Sequence, residues 1–478
     1  MHSSSVRHIL TVFVGVTTLV QVLLASDVEE LGAVRALRQR AGRDARIAVI
    51  GAGTSGVTAV HALQKKGYRN ITLYEGEDRI GGKVHSVVID GRQIELGAVL
   101  GAKGTPTIYR MARELGILKM TPFAPTVLVA LKNGDGSVKK VPIDRYWGGH
   151  SNIAVARGLL QLSRLVWLSR FKSVFKPGFY NLDPDLVGLT MTEFAKKHRF
   201  DSVLEPAHVI LYACGYGSPD EVPALYLMKM MKLMLKVRIR QDLTFHMDPG
   251  FYTFDGGYQK LWEKIGEHLV KNGLDLRLSS WVQRVVRRTR ADGSAEILVT
   301  ANGRTDVYDR LLITVMPKQA LGFLDATGEE RAAFSKVSTF DYHSVVFRAR
   351  GLEESEWVSM RYNMTRARDG HLFSYYNDDP GSGVFTGYQF SRPDAGPEEL
   401  DRLVRQDVAE LGGTVTDIVV RKPWTYFPHV KLLDLATDTY PRLNALQGQL
   451  GTYYLGGLFA FESTDYCAEF AEFVVNQY

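Results

Sequence analysis

The chain has 478 residues, 45% of them hydrophobic and 23% charged, with a net charge of +6. That length carries two or three domains, and that balance belongs to a globular protein with sizeable cores. No basic block interleaved with aromatics occurs, which sets nucleic acid aside as a partner. The two cysteines, Cys214 and Cys467, form no C-x-x-C pair, so zinc sites and redox dithiols are set aside, no metal is expected, and either one disulfide or two thiols remain.

The chain opens "MHSSSVRHILTVFVGVTTLVQVLLASDVEE". Arg7, an apolar run from Ile9 to Leu24 and the small residues Ala25 and Ser26 have the layout of a secretory signal peptide over residues 1–26. The run is short for a bilayer span, which needs about 20 apolar residues; an uncleaved anchor is the other reading. A secreted or lumenal location follows, and sequons at Asn70 and Asn363 fit a glycoprotein on that route. Residues 27–45 form a charged, helix-prone lead-in.

"RIAVIGAG" then predicts a short buried strand, Ile47 to Ile50, of the kind found in parallel sheets covered on both faces. The chain turns through Gly51, Ala52 and Gly53, passes Thr54, Ser55 and Gly56, and opens a helix with Val57, Val60 and Leu63 at helical spacing. A second strand, "ITLYE", ends on Glu75, about 20 residues after Gly56, where an acid binds a ribose hydroxyl. The glycines let the backbone approach a pyrophosphate, and the helix start supplies positive partial charge. Glu75 favours a free ribose hydroxyl over NADP but does not separate NAD from FAD. Gly76 follows, then a second glycine pair, Gly81 and Gly82, with the cation Lys83. A second glycine loop so close to the first suggests a longer cofactor lying across both.

This stretch, "EGEDRIGGKVHS", resembles the second motif of the flavin amine-oxidase superfamily, in which arginine usually holds the place of Lys83. "GRQIELGAVLG" resembles the segment that runs under the flavin ring, with Gly97 and Ala98 allowing close approach. In "DGGYQKLWEKIGEHLVKNGLDLRLSSWVQRVVRR" the resemblance puts Val282 against the adenine. "TYYLGGLFAFESTDYCAEFAEFVV" resembles the closing flavin motif. There the superfamily usually carries an acid at the second turn position and this chain has Gly457, after Gly456. The resemblance implies non-covalent FAD and an α/β fold: a Rossmann-like FAD-binding domain of amine-oxidase and glutathione-reductase type, interleaved with an α+β substrate domain. The FAD-binding domain is expected from residues 46–105, 249–320 and 448–478, and the substrate domain from 106–248 and 321–447.

Between Pro106 and Asp248 the chain reads as mostly helical. "SNIAVARGLLQLSRLVWLSRFKSVF" places Val155, Leu159, Leu162 and Val166 at helical spacing among arginines. It reads either as a packed helix with a solvated basic face or as a basic amphipathic helix in peripheral contact with a membrane. "YACGYGSPDEVPALYLMKMMKLMLKV" sets a glycine–aromatic turn before Met228, Met230, Met231 and Met234, a stripe that suits a core or a pocket for a long apolar ligand. Together with "WTYFPHV" and "LNALQGQLGTYYLGG", it resembles the polyunsaturated fatty acid double-bond isomerases. That resemblance puts Tyr216, Tyr426 and Phe427 near the flavin face and implies an apolar small-molecule substrate, a free fatty acid. A hydride leaves a methylene between two double bonds and returns at another carbon, giving conjugated products. His429, a lone titratable group in "FPHV", reads as structural.

Two features bear on rival readings. The superfamily's oxidases usually carry a lysine beside the flavin, on a strand that here reads "TFDYHSVVFRAR" and holds His343 and Ser344 instead. A fatty acid needs a partner for its carboxylate, and "TPFAPTVLVALKNG" offers no arginine; Lys103, Arg157 or Arg238 could serve, or the substrate is a neutral lipid or terpenoid. The alternatives are a flavin oxidase or dehydrogenase of an amine or apolar secondary metabolite, and a flavin-fold carrier without turnover. Bond positions and oligomeric state are not legible.

Overall fold

The computed structural model describes residues 42–477 apart from 103–105, 117–119, 123–125, 168–170, 172–173, 175, 232–250, 355 and 378. The segment read as a signal peptide, most of the lead-in, Lys103, Met234 and Arg238 lie outside the described residues, and so does the side chain of Val166.

The buried run Ile47–Ile50 is the centre of a five-stranded parallel sheet. Ile71–Tyr74 and then Asp275–Arg277 lie on one side, Arg310–Ile313 and then Thr452–Tyr454 on the other. The first strand feeds the helix Thr54–Lys65, which packs against the last helix, Thr464–Asn476, and against Tyr258–Lys271. The turn needs glycine at position 56 because a Cβ there would lie 1.9 Å from the Gly51 carbonyl oxygen. A three-stranded antiparallel meander, Val282–Thr289, Ala295–Ala301 and Arg304–Tyr308, extends this half. The expected Rossmann-like α/β class is therefore observed.

The second half is built on a seven-stranded sheet in the order Thr414–Val430, Val337–Arg350, Val384–Phe390, Leu372–Tyr376, Glu356–Met360, Thr126–Lys132 and Val138–Pro142. Neighbours run antiparallel except Glu356–Met360 with Thr126–Lys132. One face packs Val345, Phe347 and Phe385 with Val404 and Val408 of the helix Pro397–Glu410. The other gathers Tyr342, Tyr376, Tyr388 and Phe390 with Val209 and Tyr212 of the helix Leu204–Ala213. The stretch expected to be mostly helical thus also supplies two strands of this sheet. Its signal was an apolar run, "VLVALK", ending in "NGDG", which is hairpin chemistry rather than helix chemistry.

One further expectation is corrected. Asn363 is 1% exposed, and its amide donates to the Leu372 carbonyl and to Asp407; a buried amide already in use is no glycan acceptor. Asn70 is exposed. Both cysteines are free thiols.

Candidate active site

One cavity of about 890 Å³ is lined from both halves. At its nucleotide end lie Gly51, Gly53, Thr54 and Ser55, the last two opening the helix Thr54–Lys65. That helix start carries no side-chain cap, so its first-turn amides and the positive end of the helix dipole are open to an anion. Glu75 is fixed beside them: one carboxylate oxygen accepts the Ala52 N–H at 2.7 Å, the other the Glu77 N–H at 2.9 Å. Each oxygen retains a lone pair, which suits sugar hydroxyls. Gly76, Gly82, Lys83, Gly97, Ala98, Val282, Gly456 and Gly457 line the same cavity. Ala52 and Gly56 do not: Ala52 is fully buried and holds Glu75, and Gly56 lets helix and strand approach.

The acid missing at Gly457 is supplied in space from five residues on. A Cβ on Gly457 would stand 2.6 Å from Glu462 Oε2, so the Glu462 carboxylate occupies the room a side chain there would take. Lys83 Nζ donates to Glu462 Oε1 at 2.8 Å and lies 5.5 Å over the Tyr426 ring. Among the described lining residues Lys83 is the one cation, and Glu462 neutralises it.

The other end is aromatic. Tyr376 stacks on Trp357 at 4.7 Å, Trp357 on Tyr388 at 6.1 Å and Tyr388 on Tyr342 at 5.6 Å. Tyr342 then meets Tyr426 at 5.4 Å, and Tyr426 meets Tyr216 at 5.9 Å. Trp357, Tyr388, Tyr342, Tyr426 and Tyr216 face the cavity. Trp357, Tyr388, Tyr342 and Tyr426 come from strands of the seven-stranded sheet, where side chains on alternate positions point the same way, and Tyr216 joins them from the turn after the helix Leu204–Ala213. On the strand expected to hold an oxidase lysine, Tyr342 and Ser344 line the cavity and His343 does not. Polar atoms of this wall are spent inside the protein: Tyr342 Oη donates to the Ala213 carbonyl, Ser344 Oγ and Trp424 Nε1 donate to that of Leu96, and Trp357 Nε1 donates to Ser374 Oγ. Burial pushes the Tyr216, Tyr342 and Tyr426 hydroxyls well above their usual range, so they are protonated, and the wall is uncharged and dry.

Of the three aromatics expected near the flavin face, Tyr216 and Tyr426 line the cavity and Phe427 does not. It is fully buried and packs against Tyr216, Tyr226 and His429, while Tyr426 and Pro428 face the cavity. A β-bulge explains this: the ladder slips between Ser338–His429 and Phe340–Tyr426, and Phe427 takes a left-handed φ of 51°. Such bulges re-aim side chains beside sites. His429 donates from Nδ1 to the Phe427 carbonyl at 2.8 Å; burial lowers its pKa to about 4. It is neutral and structural. Met230 lines the cavity, whereas Met228 and Met231 are core. Arg157 lies on the exposed face of the helix Asn152–Trp167, away from the lining.

Sequence reasoning missed Glu462, Trp281 and the wall residues Tyr342, Trp357 and Tyr388, because strand order decides which of many aromatics meet. It also missed that Cys214 and Cys467 both line the cavity. Burial pushes both thiols up to about 12.

The glycine cradles, the open helix start and the fixed acid fit a dinucleotide; the second glycine loop and the dry wall leave room for a flavin ring and an apolar chain. Comparison with known proteins agrees. A family profile described as "Flavin containing amine oxidoreductase" matches residues 54–444. The "Polyenoic fatty acid isomerase" of Ptilota filicina is 23% identical over 295 residues, which are 57% of this chain; the chain spans just over half, 56%, of that relative's length. The solved CLA-producing fatty acid isomerase from P. acnes superposes with a TM-score of 0.78 at 26% identity, over 92% of this chain and all of that one. Wild-type putrescine oxidase bound to putrescine gives 0.64 at 16% identity over 91% of this chain and 98% of that one, a likeness of fold.

Proposed function

The chain belongs to the flavin containing amine oxidoreductases, and on that premise we propose that it binds FAD without a covalent link and moves double bonds in a polyunsaturated fatty acid, giving conjugated products without net oxidation. The observation that carries this reading is the dry aromatic wall facing the glycine-lined end of one cavity. A flavin held there supplies reversible two-electron hydride exchange. The protein's part is position. Gly51, Gly53 and the helix start take the pyrophosphate, Glu75 the ribose, and Lys83 with Glu462 the polar strip beyond. Tyr216, Tyr426, Tyr342 and Tyr388 hold the unsaturated chain and exclude water. Non-covalent binding is supported by the lining: it includes no histidine among the described residues, and both thiols are held protonated.

The second reading, an oxidase or dehydrogenase of an amine or an apolar metabolite, is favoured by the Tyr216–Tyr426 ring pair, which could flank an amine. It is disfavoured by Ser344 on the strand where a lysine would aid oxygen chemistry. Two further proposals concern place. The N-terminal segment supports a secretory route. Ile153 and Leu160, 67% and 56% exposed beside Arg157 and Arg164, support contact with a lipid surface. Among the described residues no helix is long and apolar enough to cross a membrane.

The test is anaerobic incubation of the yellow protein with linoleic, arachidonic or eicosapentaenoic acid. Conjugated-diene or triene absorbance without lasting bleaching of the flavin is expected. Peroxide formation with an amine and no conjugation would sink the isomerase.

A further inference from the structure

Trp281 is the residue that the reaction described above leaves unused. It lines the cavity, yet 57% of it is exposed. Its ring lies on Gly76: a Cβ there would be 2.4 Å from Cδ2, 2.4 Å from Cε2 and 2.7 Å from Cε3. Three ring atoms at nearly one distance mean that the ring lies face-on over the Gly76 Cα. The loop before it is pinned to the end of the Ile71–Tyr74 strand. Ser280 N–H donates to the Glu75 carbonyl at 2.7 Å and Ser279 N–H to that of Glu77 at 2.9 Å. Ser279 adopts a left-handed φ of 47°, and the Asn302 amide donates to its carbonyl. Held non-glycine residues of that kind gather at ligand clamps. The loop therefore spends strain to hold an apolar ring open beside Glu75 and Val282.

Resting on the FAD reading, we propose that Trp281 packs on the adenine and selects an adenine dinucleotide over a flavin mononucleotide, with Gly76 left bare so that the indole can lie flat. Beyond Glu75, where the ribose ends, a purine is the next group along the cofactor, and an indole offers it a large polarisable face.

The test uses holoprotein. FAD release on dilution, followed by the rise of free flavin fluorescence, gives a Kd for wild type and variants. Trp281→Ala is expected to raise Kd about tenfold, within the range for removing one base–aromatic stack; Trp281→Phe stays within about threefold. Gly76→Ala, which lifts the indole, moves Kd in the same direction, and the double variant is no weaker than Trp281→Ala alone. Tryptophan emission should rise on FAD release more in wild type than in Trp281→Phe. Holoprotein whose Trp281→Ala variant keeps FAD as tightly as wild type overturns this inference alone. Protein that carries no FAD overturns the reading beneath it.

Discussion

At the nucleotide end of the cavity the walls are backbone: Gly51, Gly82, Gly97 and Gly456 leave no unstrained room for a Cβ, with the Lys83 carbonyl against Gly97 and that of Thr314 against Gly456, and the polar partners are amides and one fixed acid. At the other end they are rings, held by stacking on one another and by hydroxyls turned into carbonyls. The first kind of wall has no slack, because a carbonyl cannot rotate away from an added methyl. The second has some, because one ring can yield and its neighbours close in part of the gap. The difference separates what the protein must hold in common with other dinucleotide binders from what it can vary with substrate.

The contrast is broken most severely by Gly56→Val. Its branched side chain meets the Gly51 carbonyl, and a loss of more than about 3 kcal/mol in denaturant unfolding, with little flavin retained, is expected. If yellow, stable protein results, the glycine end is not rigid. The second test concerns how dry the aromatic side is. His429 is 4% exposed, and its pKa is about 4 in the folded chain against an ordinary 6.5. Between these values the unfolded chain binds the proton and the folded one does not, so stability is full above pH 6.5 and falls as pH drops towards 4. This group accounts for about 3 kcal/mol. His429→Phe should lessen the slope of the unfolding free energy against pH over that window, to which His61, His85 and His208, their pKa values also lowered by burial, contribute as well; an unchanged slope would show that water reaches the ring. The mildest change is Tyr388→Ala. It should leave flavin content and fold intact while weakening binding of a conjugated polyene fatty acid about tenfold, read by anaerobic titration. Loss of flavin in that variant would show that the two ends are not separable.

Legibility in the sequence follows the same divide. Gly51, Gly53, Glu75 and Gly82 were readable because backbone constraints leave fixed spacings along the chain. Glu462 was not, since its role depends on a side chain reaching back over Gly457. The wall depends on the order of strands in a sheet, and twenty-two tyrosines with twenty-two phenylalanines give no local sign of which will meet. Phe427 shows the limit best. Alternation along "WTYFPHV" predicts its face only if the strand is regular, and the bulge that turns it away is set by the partner strand. Asn363 has a perfect sequon and is closed off by a tertiary hydrogen bond.

The five-stranded sheet carries a consequence for timing. It is opened at Ile47 and completed only by Thr452–Tyr454, which pairs with Arg310–Ile313. During synthesis, then, the sheet waits with an unpaired edge while all the intervening chain is made. No flavin can be gripped at both the first glycine loop and the closing Gly456–Gly457 turn until that turn has left the ribosome. A nascent chain stalled before them should be colourless and dependent on chaperones, and cofactor capture should follow their emergence.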